Sequence, residues 1–320
     1  MNFDYFHRTC VDLVDAASEG RLPTVYARDS EAEEVLSLLR AGRSVLLCGP
    51  PGVGKTAVIN RAAALLAQTR GRDSLRIFSV TTAQIVATHQ GYIGQWQAQL
   101  GQILDGVRAV EGVLFYTDIW LALGGGRTTT SEDNIWDAIA PLLERGELTL
   151  LAECQSEVLR HLERRAPGMV DRFTRVDVRP LSEAQTQEVL RSHAARLAKD
   201  APPGERWAED VVNRLRELTD RFQPYRAQPG KGIALIDRVA HYRKEKQRRG
   251  EDEPISTALL ERVFSVYSGL PLFVFSDQVP LQRAQASRFF QDHIVGQEQA
   301  IAPLVEAVKA RLEASATRGS

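Results

Sequence analysis

The sequence predicts an α/β fold, a parallel five-stranded sheet carrying a phosphate loop, followed by an all-helical subdomain. Three observations predict it. Short apolar runs alternate with helical patterns up to about residue 180. A glycine-rich turn of phosphate-loop type follows the first of those runs. Beyond that point helical periodicity continues without a convincing strand.

Residues 1–43 read as a mostly helical lead-in, with Glu31 to Leu39 rich in Glu and Leu and closed by Ala41-Gly42. The first strand is Ser44 to Cys48, bounded by Gly-Pro-Pro-Gly. Val58, Ile59, Ala62, Ala63 and Leu66 then share one face at helical spacing. Four more apolar runs follow: Leu75 to Val80, Gly112 to Tyr116, Leu148 to Ala152 and Phe173 to Val178. Helical stretches such as Trp96 to Val110 and Ile135 to Leu143 separate them, as a mostly parallel sheet requires. Ser182 and Gln185 form a capping-box signal, in which each side chain satisfies an orphan amide. Val189, Leu190, Ala194 and Leu197 share the face of the helix it opens. Further helices are predicted at Trp207 to Phe222, Gly232 to Arg248 and Ser256 to Tyr267. The division that follows is 1–180 for a large α/β nucleotide-binding subdomain and 181–270 for a helical lid. Residues 271–320 read as a linker, through residue 292, and the opening of a further unit.

Composition narrows the function. The chain has 320 residues, 43% hydrophobic and 25% charged, which is ordinary for a globular protein of about two domains. Lys and Arg total 40 against 41 Asp and Glu, so the simplest case for a nucleic-acid binder is missing. No apolar run approaches a membrane span, and the first ten residues do not form a secretory signal. Cys10, Cys48 and Cys154 are far apart and odd in number, which suggests a reducing cytosol and no zinc site.

The firmest functional signal is GPPGVGKT at 49–56, which matches G-x-x-x-x-G-K-[ST] between a strand and a helix. Its glycines let successive amides point at phosphate oxygens, and the helix N-terminus adds a favourable dipole. Pro51, Gly52, Val53, Gly54, Lys55, Thr56 and Ala57 are the candidate ATP contacts. Lys55 would reach the β- and γ-phosphates, and the Thr56 hydroxyl would ligate Mg²⁺.

Around this loop, from about residue 8 to 314, the chain resembles the Clp family of AAA+ unfoldases, in their first ATPase module. EGRLPTVYARDSE resembles the adenine-side box V-I-G-R-D, so Val25 and Tyr26 would flank the adenine, with Ala27 in place of Gly. GYIGQW at 91–96 resembles the pore-loop segment, with Tyr92 as the substrate-gripping aromatic. RGEL at 145–148 precedes the sensor-one strand, and DRF at 171–173 resembles the arginine-finger site. QPGKGIALIDRVA resembles the lid motif and implies that Lys231 lies near the nucleotide. HIVGQEQAI at 293–301 resembles the opening of a second ATPase module, so the chain reads as a fragment or truncation of a tandem protein. Between Arg248 and Ser256 no long heptad insertion fits, which suggests the coil-less, ClpA-like branch.

The chain departs from that family at the second acidic strand, which ends in D-E there and reads LFYTDIW here. Aligned without gaps, Thr117 replaces the Asp and Asp118 replaces the Glu that polarises the attacking water. The sensor-one strand has Ala152-Glu153-Cys154-Gln155 for G-A-T-T, and of two finger arginines only Arg172 remains, reaching a neighbouring subunit. A displaced carboxylate is costly in phosphoryl transfer, so the expectation is ATP binding with slow hydrolysis. The resemblance implies a homo-oligomer, a hexameric ring, acting in the cytoplasm on unfolded or tagged polypeptide, with a protease or adaptor reached through regions not in this chain. Two other readings stand beside it: a nucleotide-gated scaffold that does no threading, and a DNA-acting ATPase that the neutral charge disfavours. The basic run Arg243 to Arg249 reads as a solvated helix end, because Glu251-Asp252-Glu253 follows it. Trp96 reads as packing, and Cys48 as a small core residue.

Overall fold

The computed structural model describes residues 4–69, 75–86, 95–125, 134–199, 206–251, 253–276 and 283–316. The five expected runs all become strands, and a sixth joins them. In chain order the strands are β1 (Val11–Asp12), β2 (Val45–Cys48), β3 (Ile77–Val80), β4 (Val113–Tyr116), β5 (Thr149–Cys154) and β6 (Thr174–Asp177). They form one sheet in the order β1-β3-β4-β5-β2-β6. The five expected strands are parallel, but β1 pairs antiparallel with β3, so the five-stranded expectation is corrected to six. A two-residue strand carries no alternation that a sequence could display.

All four residues of β2 are buried, as are those of β4. That is the pattern of a parallel strand covered on both faces. Alternate side chains go to opposite layers. Val45 and Leu47 pack with Phe115 and Leu151 against Val35, Leu36, Ile59 and Ala62 of the helices Asp29–Arg40 and Lys55–Gln68. Leu46 and Cys48 go the other way, with Leu114, Tyr116 and Leu150, to meet Trp96, Ile103 and Val107 of the helix Gln95–Ala109. Trp96 is therefore core, as read. The expected capping box is formed: Gln185 N–H donates to Ser182 Oγ at 3.2 Å, and Ser182 N–H to Gln185 Oε1 at 3.0 Å.

By backbone contacts the chain divides into two units, 1–189 with 225–230, and 190–224 with 231–320. The second has its own core of Leu190, Leu215, Ile236, Leu259 and Phe264. Phe264 and Phe275 meet edge to face there, with ring centroids 5.3 Å apart. Part of the stretch expected as linker is ordered. Leu272–Val274 is a 3₁₀ turn, with Phe273 and Phe275 buried, and Arg283–His293 is a helix. The mixed polarity of RAQASRFFQDH hid that helix from periodicity. The basic run ends the helix Gly230–Arg248, where Lys246 pairs with Glu251 at 2.5 Å and Arg248 with Glu245 at 2.6 Å. Among the described residues no helix is long and apolar enough to cross a membrane.

Leu151 is fully buried in β5, between β4 and β2. Leu151→Ala is expected to destabilise the first unit by about 2–5 kcal/mol. The measurement is the urea midpoint at unchanged m-value. An unmoved midpoint would show that this layer is not packed as described.

Candidate functional site

The loop after β2 is shaped by backbone constraints from two directions. Gly52 has φ +85°, and a Cβ there would lie 2.8 Å from the Ala227 carbonyl oxygen. The segment 225–230 belongs to the same unit and clamps the loop. Ala227 N–H donates to Pro51 O at 2.8 Å, and Gly230 N–H to Gly52 O at 3.0 Å. Gly230 approaches so closely that a Cβ on it would sit 2.5 Å from that oxygen. Gly54 caps the helix Lys55–Gln68 in a left-handed conformation, so the helix N-terminus opens onto the loop.

Arg28 holds the other side. It is buried, and its guanidinium donates to Val53 O at 2.6 Å and Arg179 O at 3.1 Å while pairing with Glu31. It thereby ties the adenine-side stretch to the loop. Val25 and Tyr26 are half-buried in that stretch, and Ala27 keeps φ +54° although it replaces a glycine. Sequence reasoning did not single out Arg28 as a site residue, although it stands at the arginine of the V-I-G-R-D box.

Lys55 is buried, and its ammonium donates to Gly49 O at 3.0 Å and Pro50 O at 3.1 Å. Burial pulls its pKa below the usual lysine value, with Glu153 opposing that shift. Thr56 is exposed at the helix start, beside it. Its hydroxyl meets both carboxylate oxygens of Glu153, at 2.9 and 3.0 Å. Glu153 entered the sequence reading only as part of an altered strand, and this contact was missed. Burial raises its pKa, while the Thr56 hydrogen bond and Lys55 draw it back.

Asp118 follows β4, and its Oδ1 accepts from Thr82 N–H at 2.8 Å and Thr82 Oγ1 at 3.1 Å. Its orientation is thus fixed by the start of the helix Thr82–Val86 that follows β3. Thr117 donates its N–H to Val80 O at 3.1 Å, with its hydroxyl 3.4 Å from the same oxygen. Cys154 sits level with Cys48 on the neighbouring strand, their sulfurs 3.7 Å apart and both thiols buried. Arg172 is partly exposed, pairs with Glu144 and donates to Gly168 O at 3.3 Å. Lys231 lies in the second unit, where it pairs with Asp220 at 2.8 Å and donates to Gln223 O at 3.4 Å. Tyr92 and its flanking glycines lie outside the described residues.

The donor set fits a magnesium–triphosphate group. A backbone cradle with no room for a side chain, an ammonium held only by carbonyls, an exposed hydroxyl and a carboxylate offer cationic donors to phosphate and hard oxygens to Mg²⁺.

Residues 45–176, from β2 into β6, match the family model described as "ATPase family associated with various cellular activities (AAA)". A chaperone protein ClpB of Propionibacterium freudenreichii is 30% identical over 297 residues, which is 90% of this chain and 33% of the relative. The chaperone protein ClpB of Mycobacterium tuberculosis is 30% identical over 236 residues, 72% of this chain and 28% of its own length. The chain thus spans about a third of the curated relatives it matches. Among solved structures, a Saccharomyces cerevisiae Hsp104–casein complex in an extended conformation aligns with TM-score 0.72 at 21% identity, covering 96% of this chain and 52% of that one. A closed-state reconstruction of Hsp104 with ATPγS and FITC casein gives 0.73 at 21% identity, covering 97% and 54%. At that identity these structures speak for the fold alone. The family model and the ClpB relatives support a Clp-family AAA+ module, and the solved structures support its fold. The relatives carry the ClpB name, and the connection between the helices Gly230–Arg248 and Thr257–Ser268 is short, as expected.

Gly52→Ala forces strain of about 1–3 kcal/mol onto a left-handed position. Its Cβ also meets the Ala227 carbonyl. The variant is expected to bind ATP more weakly while keeping its sheet, and Lys55→Ala to bind weakest. Isothermal titration with far-UV dichroism checks both; wild-type affinity in either variant would contradict the cradle described.

Proposed function

We propose that this chain, a Clp-family AAA+ module, binds Mg-ATP in the loop of residues 49–56 and serves as a ring-forming ATPase part of a polypeptide unfoldase, with slow hydrolysis in this module. The observation that carries this reading is the clamped loop, with no room for a side chain at Gly52 and with Lys55 and Thr56 at its helix end.

The backbone of residues 51–57 orients the phosphates. Lys55, now bonded to the Gly49 and Pro50 carbonyls, exchanges those acceptors for phosphate oxygens at little cost, because its ammonium is already desolvated. Thr56 would help to hold Mg²⁺, which would supply charge neutralisation at the phosphates. Val25 and Tyr26 contact the base, and the Clp lid motif implies a nucleotide contact for Lys231. Arg172 reaches a neighbouring subunit's γ-phosphate after leaving Glu144, a change that an exposed ion pair permits at low cost. Tyr92 grips an unfolded polypeptide in a hexameric ring. Slow turnover follows from Thr117 at the acidic position and from Asp118, whose carboxylate is already engaged by Thr82. That engagement also favours a second reading, in which ATP is a structural ligand that holds an assembly by mass action.

Steady-state phosphate release with Mg-ATP tests the reading, on protein first shown to bind ATP and beside Lys55→Ala. Turnover is expected well below the ~1 s⁻¹ lower end of the usual range for enzymes. Turnover at or above that level, lost in Lys55→Ala, would refute slow hydrolysis. Tyr92→Ala is expected to abolish ATP-dependent capture of a labelled unfolded polypeptide; unchanged capture would favour the structural-ligand reading.

A further inference from the structure

Strand register brings an unassigned carboxylate to the metal side of the phosphate loop. β5 lies between β4 and β2, with Tyr116 level with Ala152 and Leu47 level with Glu153. Thr117 directly follows β4 and Glu153 is the next residue of β5, so continuing the parallel register by one step sets the two level, and level residues of parallel strands share a face. Both lie at the carboxyl ends of their strands, where open α/β sheets bind ligands.

The Clp pattern has an acid at the Thr117 position and a small residue at the Glu153 position. This chain has the two exchanged: a hydroxyl on β4 and a carboxylate on β5. Thr117 is turned to the Val80 carbonyl and does not fill the acid's place. Glu153 is one methylene longer than Asp, and both its oxygens reach the Thr56 hydroxyl, at 2.9 and 3.0 Å. No other carboxylate in the described residues bonds to Thr56, and Asp118 is held by Thr82. We infer that Glu153 is the metal-side acid of this nucleotide site, standing in from β5 for the carboxylate absent at Thr117, and that with Thr56 it holds the divalent cation of Mg-ATP. This rests on the reading that the loop binds Mg-ATP.

A carboxylate against a triphosphate repels it unless a cation lies between them. Glu153 therefore makes nucleotide affinity depend on metal, which distinguishes it from a residue that merely packs. The test is titration of a fluorescent ATP analogue into the full chain, with EDTA and with Mg²⁺, alongside Mn²⁺ binding by electron paramagnetic resonance in the presence of ATP. Wild type is expected to bind more tightly with Mg²⁺. Glu153→Gln keeps the shape and is expected to lose that metal-dependent gain by about tenfold or more, with Mn²⁺ affinity falling in step and no loss of affinity in EDTA. Glu153→Ala, which installs the small residue of the Clp pattern, is expected to behave alike, and thermal melts confirm that both variants fold. Adding Thr117→Asp to Glu153→Gln is expected to restore the gain by returning the acid to β4. A full Mg²⁺ gain in Glu153→Gln overturns the inference and leaves the nucleotide reading standing. Absence of ATP binding in wild type under both conditions overturns that reading, and the inference falls with it.

Discussion

The phosphate loop has no room for a side chain at Gly52, because the Ala227 carbonyl lies where a Cβ would go. Backbone packed directly on backbone is what fixes the loop's shape. Two amides from 225–230 hold its outer side, and Arg28 holds Val53 from the other. The carbonyls of Pro51, Gly52 and Val53 are thereby committed to partners outside the loop. β2 supplies the anchor beneath, buried on both faces and bonded to β5 and β6. The helix Lys55–Gln68 leaves directly from the loop, so Lys55 and Thr56 inherit its rigidity.

Charge is distributed along the sheet's carboxyl edge in a way that single strands do not reveal. β4 is followed by a threonine bonded to β3 backbone and an aspartate bonded to Thr82. β5 ends in a glutamate bonded to the loop's own threonine. The acid thus moves by one strand while staying at the same level, a displacement of roughly the ~4.8 Å strand spacing. Glutamate's added length covers part of that distance. Buried Cys48 and Cys154 form the floor beneath, where two small polarizable side chains fit between adjacent strands.

Local chemistry made most of the fold legible. The apolar runs at 44–48 and 112–116 are strands because only a fully covered strand tolerates continuous hydrophobicity, and GPPGVGKT needs no partner to be recognised. Two residues at β1 could not announce themselves, since pairing with β3 defines them. The helix Arg283–His293 carries no clean apolar stripe, so its composition resembled a linker. Arg28 and Glu153 were not legible as site residues, because each acts on a partner far away in sequence. Their contacts exist only once register and loop are set. Tyr92 falls outside the described residues, and its role rests on the Clp resemblance.

The six residues 225–230 belong to the first unit although the chain on both sides belongs to the second. Synthesis therefore delivers the sheet, the loop and the helix Lys55–Gln68 long before the strap that clamps them. A nascent chain ending near residue 190 would hold every strand of the sheet but neither amide that pins Pro51 and Gly52. The clamp on the loop is then completed late, when most of the helical unit's first two helices have already been made. Division into two contiguous pieces at that boundary would separate the pocket from part of its own wall, so the first unit cannot be excised intact by a single cut.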